Sequence, residues 1–371
     1  MVSLKNIDSS PDFTRHLASS RAFEGKPLVI VDVGARGGFA KYWSCYGDQI
    51  KLIGFEPDAE ECEQLNRQAA GSGNRYFPVA LHQNTGRKTF YITAYPPSSG
   101  FNQPIIEEVG RFTDKVNLSV VRTIEMETID FDSFAGNNNI DYVDFIKLDT
   151  EGAELDILKG ARQYLKKSVL GLSVEVGFQK WHRDQPVFCD IDSFLRPIGF
   201  KLFDLAINRS SREALPPLTH SPIPGPAERG QISFGQALYL RDGAYEIASS
   251  KHPGDGWDDT KVLKLASFME LFCLTDCAIE LIQAAKNKGL LQAFDTDRLI
   301  DLLVPPLGKR KVSYREYLES VRVASLTKPP AGGAPAARAK RLAVRWLPEP
   351  LRRVIRVCLT RLRDTIDGMI K

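Results

Sequence analysis

Short apolar runs separated by turn residues dominate the first two thirds of the chain. Leu28–Val33, bounded by Pro27 and Gly34, and Ile50–Phe55 have the length and borders of buried strands. Tyr76–Leu81, Val143–Leu148, Val169–Val176, Lys201–Leu205 and Ile232–Leu240 repeat the signal, and Lys88–Thr93 and Val120–Met126 add two more strands. Helical patterns fall between them, at Asp58–Ala70 with Asp58 as N-cap, near Asp130–Phe134, and over Pro186–Leu195. Tyr95–Leu118, rich in Pro, Ser, Gly and Asn, is expected to form a loop or lid. Pro-rich Leu215–Ala227 is expected to interrupt the sheet. Strands alternating with helices predict a doubly wound α/β domain over residues 28–242, preceded by a polar lead-in at 1–27.

The period then changes. Val262, Leu265, Ala266, Met269 and Phe272 follow helical spacing, as do Ala278, Leu281, Ile282 and Ala285, which predicts a helical appendage over 259–327. KPPAGGAPAA opens a flexible, Pro/Gly/Ala-rich and basic linker at 328–349. From Pro350 to Lys371 an apolar stripe with arginines elsewhere around it predicts a basic amphipathic helix. Residues 338–371 hold ten basic and three acidic side chains, leaving 39 basic and 43 acidic in the rest of the chain. The body is therefore mildly acidic and gives no sign of nucleic-acid binding. The tail reads equally as a peripheral contact with an anionic membrane and as a helix docked on its own body or on a second subunit. The oligomeric state is not legible. No apolar run reaches the roughly 18 residues of a spanning helix, and MVSLKNIDSSPDFTRHL lacks the pattern of a secretory signal. The expected location is cytoplasmic, peripheral at the inner membrane face if the tail binds lipid. Six scattered cysteines without a CxxC pair are expected to be reduced, mostly buried thiols.

The candidate chemistry sits at strand ends. In an open α/β sheet, ligands bind outside the carboxyl ends of the strands. VDFIKLDTEGAELDILKGA ends a strand in Asp149, turns through Glu151 and Gly152, and opens a helix at Ala153–Leu155. Upstream, LVIVDVGARGG places Asp32 at a strand end and Gly34, Gly37 and Gly38 in the turn, where missing Cβ atoms let the backbone approach a ligand. The spacing is G-x-x-G-G rather than the G-x-G-x-x-G of dinucleotide binders. That departure, with the lack of a Tyr-x-x-x-Lys dyad, argues against a nucleotide-sugar or dinucleotide enzyme. An acid beside the turn suits a cationic ligand, and S-adenosylmethionine carries a sulfonium and an ammonium. GFEPD then places Glu56 where an acid accepts hydrogen bonds from ribose hydroxyls, with Pro57 stiffening the turn.

These residues resemble the FkbM-type methyltransferases, class I enzymes that use S-adenosylmethionine. The likeness rests on VDVGARGG, GFEPD, PVAL and above all IKLDTEGAELDILKGA. It continues through SVEVGFQKWHRDQPVFCDIDSFLRPIGFKLFDL and more loosely to about residue 285. The resemblance implies a Rossmann-like seven-stranded sheet with its last strand antiparallel and methyl transfer to a hydroxyl, commonly of a saccharide or glycosylated metabolite. It places Asp32, Gly34, Ala35, Gly37, Gly38, Glu56, Pro57, Ala80 and Leu81 on cofactor-binding positions. Arg36 departs from the small polar residue usual there and is expected to pair with the cofactor carboxylate or with a nearby acid. Asp149 is the first candidate for general base, followed by Glu151 and Glu175, with His182 a fourth and Glu154 a cap or ion-pair partner. Asp149 and Glu175 also offer oxygen ligands suited to a divalent cation such as magnesium, which the sequence does not require. Other acceptors, a lipid, a peptide or a small metabolite at a membrane surface, remain compatible, as does a non-catalytic binding module on the same fold.

Overall fold

The structure is a computed structural model, and it describes residues 4, 6–218, 226–250 and 256–326. The chain divides into two compact units, Met1–Leu303 and Val304–Lys371. The described part of the second unit carries the helix Tyr314–Leu326. The predicted linker and basic helix at 328–371 lie outside the described residues.

Ten strands run through the first unit: β1 (Leu28–Val33), β2 (Ile50–Phe55), β3 (Arg75–Phe77), β4 (Ala80–Leu81), β5 (Gly86–Thr93), β6 (Val120–Ile129), β7 (Phe145–Leu148), β8 (Gly171–Gly177), β9 (Phe200–Ser210) and β10 (Gln231–Arg241). Seven form one sheet in the order β3-β2-β1-β7-β8-β10-β9. Its strands are parallel except β10, which pairs antiparallel with both β8 and β9. This is a doubly wound α/β sheet with the last strand antiparallel, as the resemblance implied. β1 is buried along its whole length because helices cover both faces. On one face Val29, Val31 and Val33 join a core with Phe131, Phe134, Ile157, Leu165 and Ile191 from the crossover helices. On the other, Phe145 of β7 packs against Trp43, Phe268 and Phe272, with ring centroids 5.3, 5.3 and 5.7 Å away.

That second contact joins the helices beyond residue 259 to the sheet. The helices Asp259–Leu271, Thr275–Asn287 and Thr296–Leu303 belong to the same compact unit as the sheet, and the division falls after Leu303. Asp259–Leu271 is buried from Val262 to Leu271, polar residues included. Lys264 Nζ lies 2.8 Å from Asp144 Oδ2, and Glu270 accepts hydrogen bonds from the Phe13 and Thr14 amides and the Thr14 hydroxyl. Through Glu270 the lead-in is tied down as well: its helix Asp12–Ser19 buries Phe13 and Leu17.

The expected strand Tyr76–Leu81 is split. Pro78 cannot donate to a ladder, and after it β4 leaves the main sheet to pair with β6 in a three-stranded sheet, β4-β6-β5. Between β5 and β6, the expected loop contains three short helical turns, Pro96–Ser98, Ile106–Val109 and Thr113–Val116. The five described cysteines are free, but only Cys62 is buried, so the expectation of mostly buried thiols fails.

Candidate active site

A cavity of about 700 Å³ opens at the carboxyl ends of β1, β2, β7 and β8, roofed by the β5–β6 hairpin. Its volume lies within the range of about 300–1,000 Å³ common for small-molecule sites. Gly34, Glu56, Pro57, Ala80, Leu81, Asp149, Glu151, Glu175, Glu154 and His182 all line it. Asp32, Ala35, Gly37 and Gly38 do not: Asp32 and Ala35 are buried, Gly38 is half-buried and Gly37 is exposed.

The turn after β1 is held from two sides. The Gly34 and Ala35 amides both donate to the Phe55 carbonyl at the end of β2, each at 3.0 Å. Gly34 has φ +78°, and a Cβ there would stand 2.0 Å from the Asp149 carbonyl oxygen, so only glycine fits. At the end of β2, buried Glu56 accepts the Asp58 amide on Oε1 at 2.9 Å. Its Oε2 has no partner among the described residues. Arg36 reaches Asp58 at 2.9 Å and Glu56 at 3.6 Å, which resolves its departure: it pairs with nearby acids.

The turn after β7 is built around Glu154. This buried carboxylate accepts the Thr150 amide at 2.7 Å, the Thr150 hydroxyl at 2.9 Å and the Gly152 amide at 3.0 Å, so its role is to brace the turn. The brace holds Glu151 in the left-handed region at φ 57°. Asn102 Nδ2 donates to the Gly152 carbonyl at 3.0 Å and ties the 94–119 segment to the same turn. Asp149, Glu151 and Glu175 each present a carboxylate oxygen within 4.8 Å of the others. Such an oxygen-only trio could ligate a hard divalent cation. His182 is buried beside the cavity, with Nδ1 3.4 Å from Gln185 Oε1, and burial lowers its pKa.

Lys147 is the residue the sequence reading missed. It pairs in register with Asp32, and its Nζ lies 3.0 Å from Asp32 Oδ1, 3.5 Å from Asp149 Oδ2 and 3.2 Å from the Gly34 carbonyl. The strand period puts 147 and 149 on one face, but only the register with β1 sets Lys147 against Asp32. Burial opposes the charge on Lys147, but Asp32, Asp149 and Glu175 outweigh it and hold the ammonium protonated. Burial pushes Asp32 up to about 6 against the pull of Lys147. Burial, then the charge of Asp149, pushes Glu151 up to about 8, and the same two causes lift Glu175 well above the usual carboxyl range.

The raised glutamate has a stability consequence. Between its ordinary value of 4.5 and about 8, the folded state holds the Glu151 proton more tightly than the unfolded chain does. Stability therefore falls as pH rises through that window. Glu151→Gln is expected to remove part of the slope, matching the parent near pH 4.5 and melting about 2 °C or more above it at pH 8. Thermal unfolding across that range measures it.

An open α/β sheet of this strand order, with a cavity at its strand tips and a glycine turn beside an acid, defines a nucleotide-cofactor enzyme class. Residues 32–202 match the methyltransferase FkbM domain. That match covers 171 of the 371 residues and, with a methyltransferase relative, supports an S-adenosylmethionine-dependent methyltransferase. The methyltransferase sdnD of Sordaria araneosa is 25% identical over 214 residues, covering 51% of this chain and 80% of the relative. Among solved structures, magnesium protoporphyrin IX methyltransferase (ChlM) from Synechocystis PCC 6803 with bound SAM is 10% identical, with TM-score 0.29, over 62% of this chain and 77% of that one. Precorrin-6y C5,15-methyltransferase from Geobacter metallireducens GS-15 is 9% identical, with TM-score 0.29, over 65% and 92%. Likenesses this distant add nothing to the fold already described. Among the described residues, no helix is long and apolar enough to cross a membrane.

Proposed function

We propose that the protein methylates a hydroxyl group of a saccharide or glycosylated metabolite, with Asp149 as general base. The observation that carries this reading is the carboxylate trio lining a cavity that Gly34 and Glu56 also line. A hydroxyl acceptor gains from losing its proton as it attacks, and a positioned base contributes about a hundred- to ten-thousand-fold. Of the three acids, Asp149 is the one whose charge lifts the other two, and it stands at the end of β7 at the cavity, beside Lys147.

The unpartnered Glu56 Oε2 suits a ribose hydroxyl, buried Ala80 and Leu81 suit an adenine face, and the Gly34 turn allows close backbone approach. Bound there, S-adenosylmethionine supplies a methyl group already activated on sulfonium for in-line displacement by the acceptor oxygen. Asp32, behind the turn, acts through Lys147, which it holds against Asp149. The roof of the cavity turns Phe90, Ile92, Ile124 and Met126 toward the bound molecule, which favours an acceptor whose sugar is attached to an apolar body.

The test is product analysis. With methyl-labelled S-adenosylmethionine and a panel of free and glycosylated acceptors, the label is expected in a methyl ether on a sugar carbon. Label in an amine, an ester, a carbon–carbon bond or an aglycone hydroxyl would overturn the reading.

A further inference from the structure

The β5–β6 hairpin alternates with period two. Its outer face is polar and paired across the strands, Arg87 with Glu127 at 2.9 Å and Thr89 with Glu125 at 2.8 Å. Where it lines the cavity, its inner face is apolar, with Phe90 opposite Ile124. Lys88, opposite Met126 in the same row, lies outside that lining, and Arg122 is the charged residue of the row within it. Arg122 stands exposed opposite Ile92 and has no hydrogen-bond or ion-pair partner among the described residues. The register shifts next to it, between Ile92 and Thr93, so that Val121 is the extra residue. Bulges of this kind re-aim side chains beside active sites.

Charge elsewhere in the cavity gives the exception its meaning. Seven carboxylic acids and two arginines line it, and the other arginine, Arg36, is taken up by Glu56 and Asp58. An anionic group on the acceptor would be repelled from the acids at the strand tips and drawn to Arg122. Position matters too. Thr128 of β6 pairs with Ala80, and Arg122 stands roughly 20 Å further along the strand, at about 3.3 Å per residue. It is therefore remote from the wall assigned to adenine. Toward the acids, Thr123 pairs with Tyr91, and Tyr91 bridges to Gly100, which abuts the Glu151 backbone. At about 4.8 Å per strand spacing, Gly100 lies roughly 10 Å to the side of the Arg122 strand and the catalytic turn one contact beyond it, within the span of one glycosylated acceptor.

The geometry points to an acceptor that carries an anionic substituent, a carboxylate or a phosphate, gripped by Arg122 while its hydroxyl faces Asp149. This rests on the proposed acceptor site. The cavity works as an orienting field, with the cation at the outer end and the acids at the inner end. A guanidinium fork matches either anion with two parallel hydrogen bonds.

The test titrates enzyme saturated with S-adenosylhomocysteine, at fixed ionic strength. The probes are 4-nitrophenyl glucuronide against 4-nitrophenyl glucoside, and glucose 1-phosphate against glucose. The expected result is a preference of about tenfold or more for at least one anionic member of the pairs. Arg122→Gln abolishes it and leaves S-adenosylhomocysteine affinity unchanged. The pair that shows the preference tells carboxylate from phosphate. No preference in the parent, or a preference that survives in Arg122→Gln, overturns the inference. So does weakened S-adenosylhomocysteine binding by the variant, because Arg122 would then serve the cofactor. Failure of the parent to bind S-adenosylhomocysteine at all would strike the proposed site itself.

Discussion

Asp149→Asn is expected to lower turnover by about a hundred- to ten-thousand-fold while S-adenosylhomocysteine binds as before. The substitution keeps the size of the side chain and removes its capacity to take a proton. Its surroundings should hold, because Lys147 keeps Asp32 at 3.0 Å and the Gly34 carbonyl at 3.2 Å. The strand end stays in place through the Asp149 amide, which donates to the Val33 carbonyl at 3.1 Å. A purely structural role for Asp149 predicts a different outcome, in which stability and cofactor affinity fall together with rate. Steady-state turnover and calorimetry on the same preparation separate the two. A second readout sharpens the result. The charge of Asp149 raises both Glu151 and Glu175, so neutralising it should lower the pH at which the remaining acids titrate. Turnover that survives the substitution would mean the acceptor proton leaves by another route.

The strand-end acids were legible in the sequence because they depend only on local order: an apolar run, then a turn, then a helix start. β1 and β2 match their predicted bounds residue for residue; β1, buried along its length, reads as an apolar run broken only by Asp32. The rest depended on partners distant in the chain. Helical spacing found the helix Asp259–Leu271, but periodicity cannot say which surface receives an apolar face. Here the receiving surface was Phe145 and the polar anchors were Asp144 and Thr14. The split at Pro78 did carry a local signal, because proline cannot donate to a ladder, yet Phe77 and Val79 to Leu81 read as one apolar run. Lys147 and Arg122 were invisible for a shared reason. A lone cation in a strand pattern is most simply a solvent-facing residue; Arg122 is exposed, at the cavity, and Lys147 is not, and what places these two is the register of neighbouring strands. Asp32 beside Lys147, and an apolar row beside Arg122, appear only once β1 lies against β7 and β5 against β6.

Lys147→Met is expected to cost about 3–5 kcal/mol of stability near pH 8, the usual penalty for leaving buried charge uncompensated. Methionine retains most of the packing volume, so the loss reports chiefly on the ammonium. Asp32, whose side chain is 10% exposed, then faces Asp149 across the site with no cation between them. The pH dependence distinguishes this account from lost packing. Asp32 already stands at about 6 with Lys147 present, and removing the group that lowers it moves it higher still. In the variant, protonation as pH falls relieves the repulsion, so the deficit should shrink from pH 8 toward pH 5. A packing defect would give a deficit independent of pH. Melting curves should show the parent at least about 6 °C above the variant at pH 8, with the gap closing on acidification. Turnover should fall as well, because Lys147 is what sets Asp149 against the glycine turn. A constant gap across that pH range would mean that Asp32 and Asp149 do not depend on Lys147 for their charge.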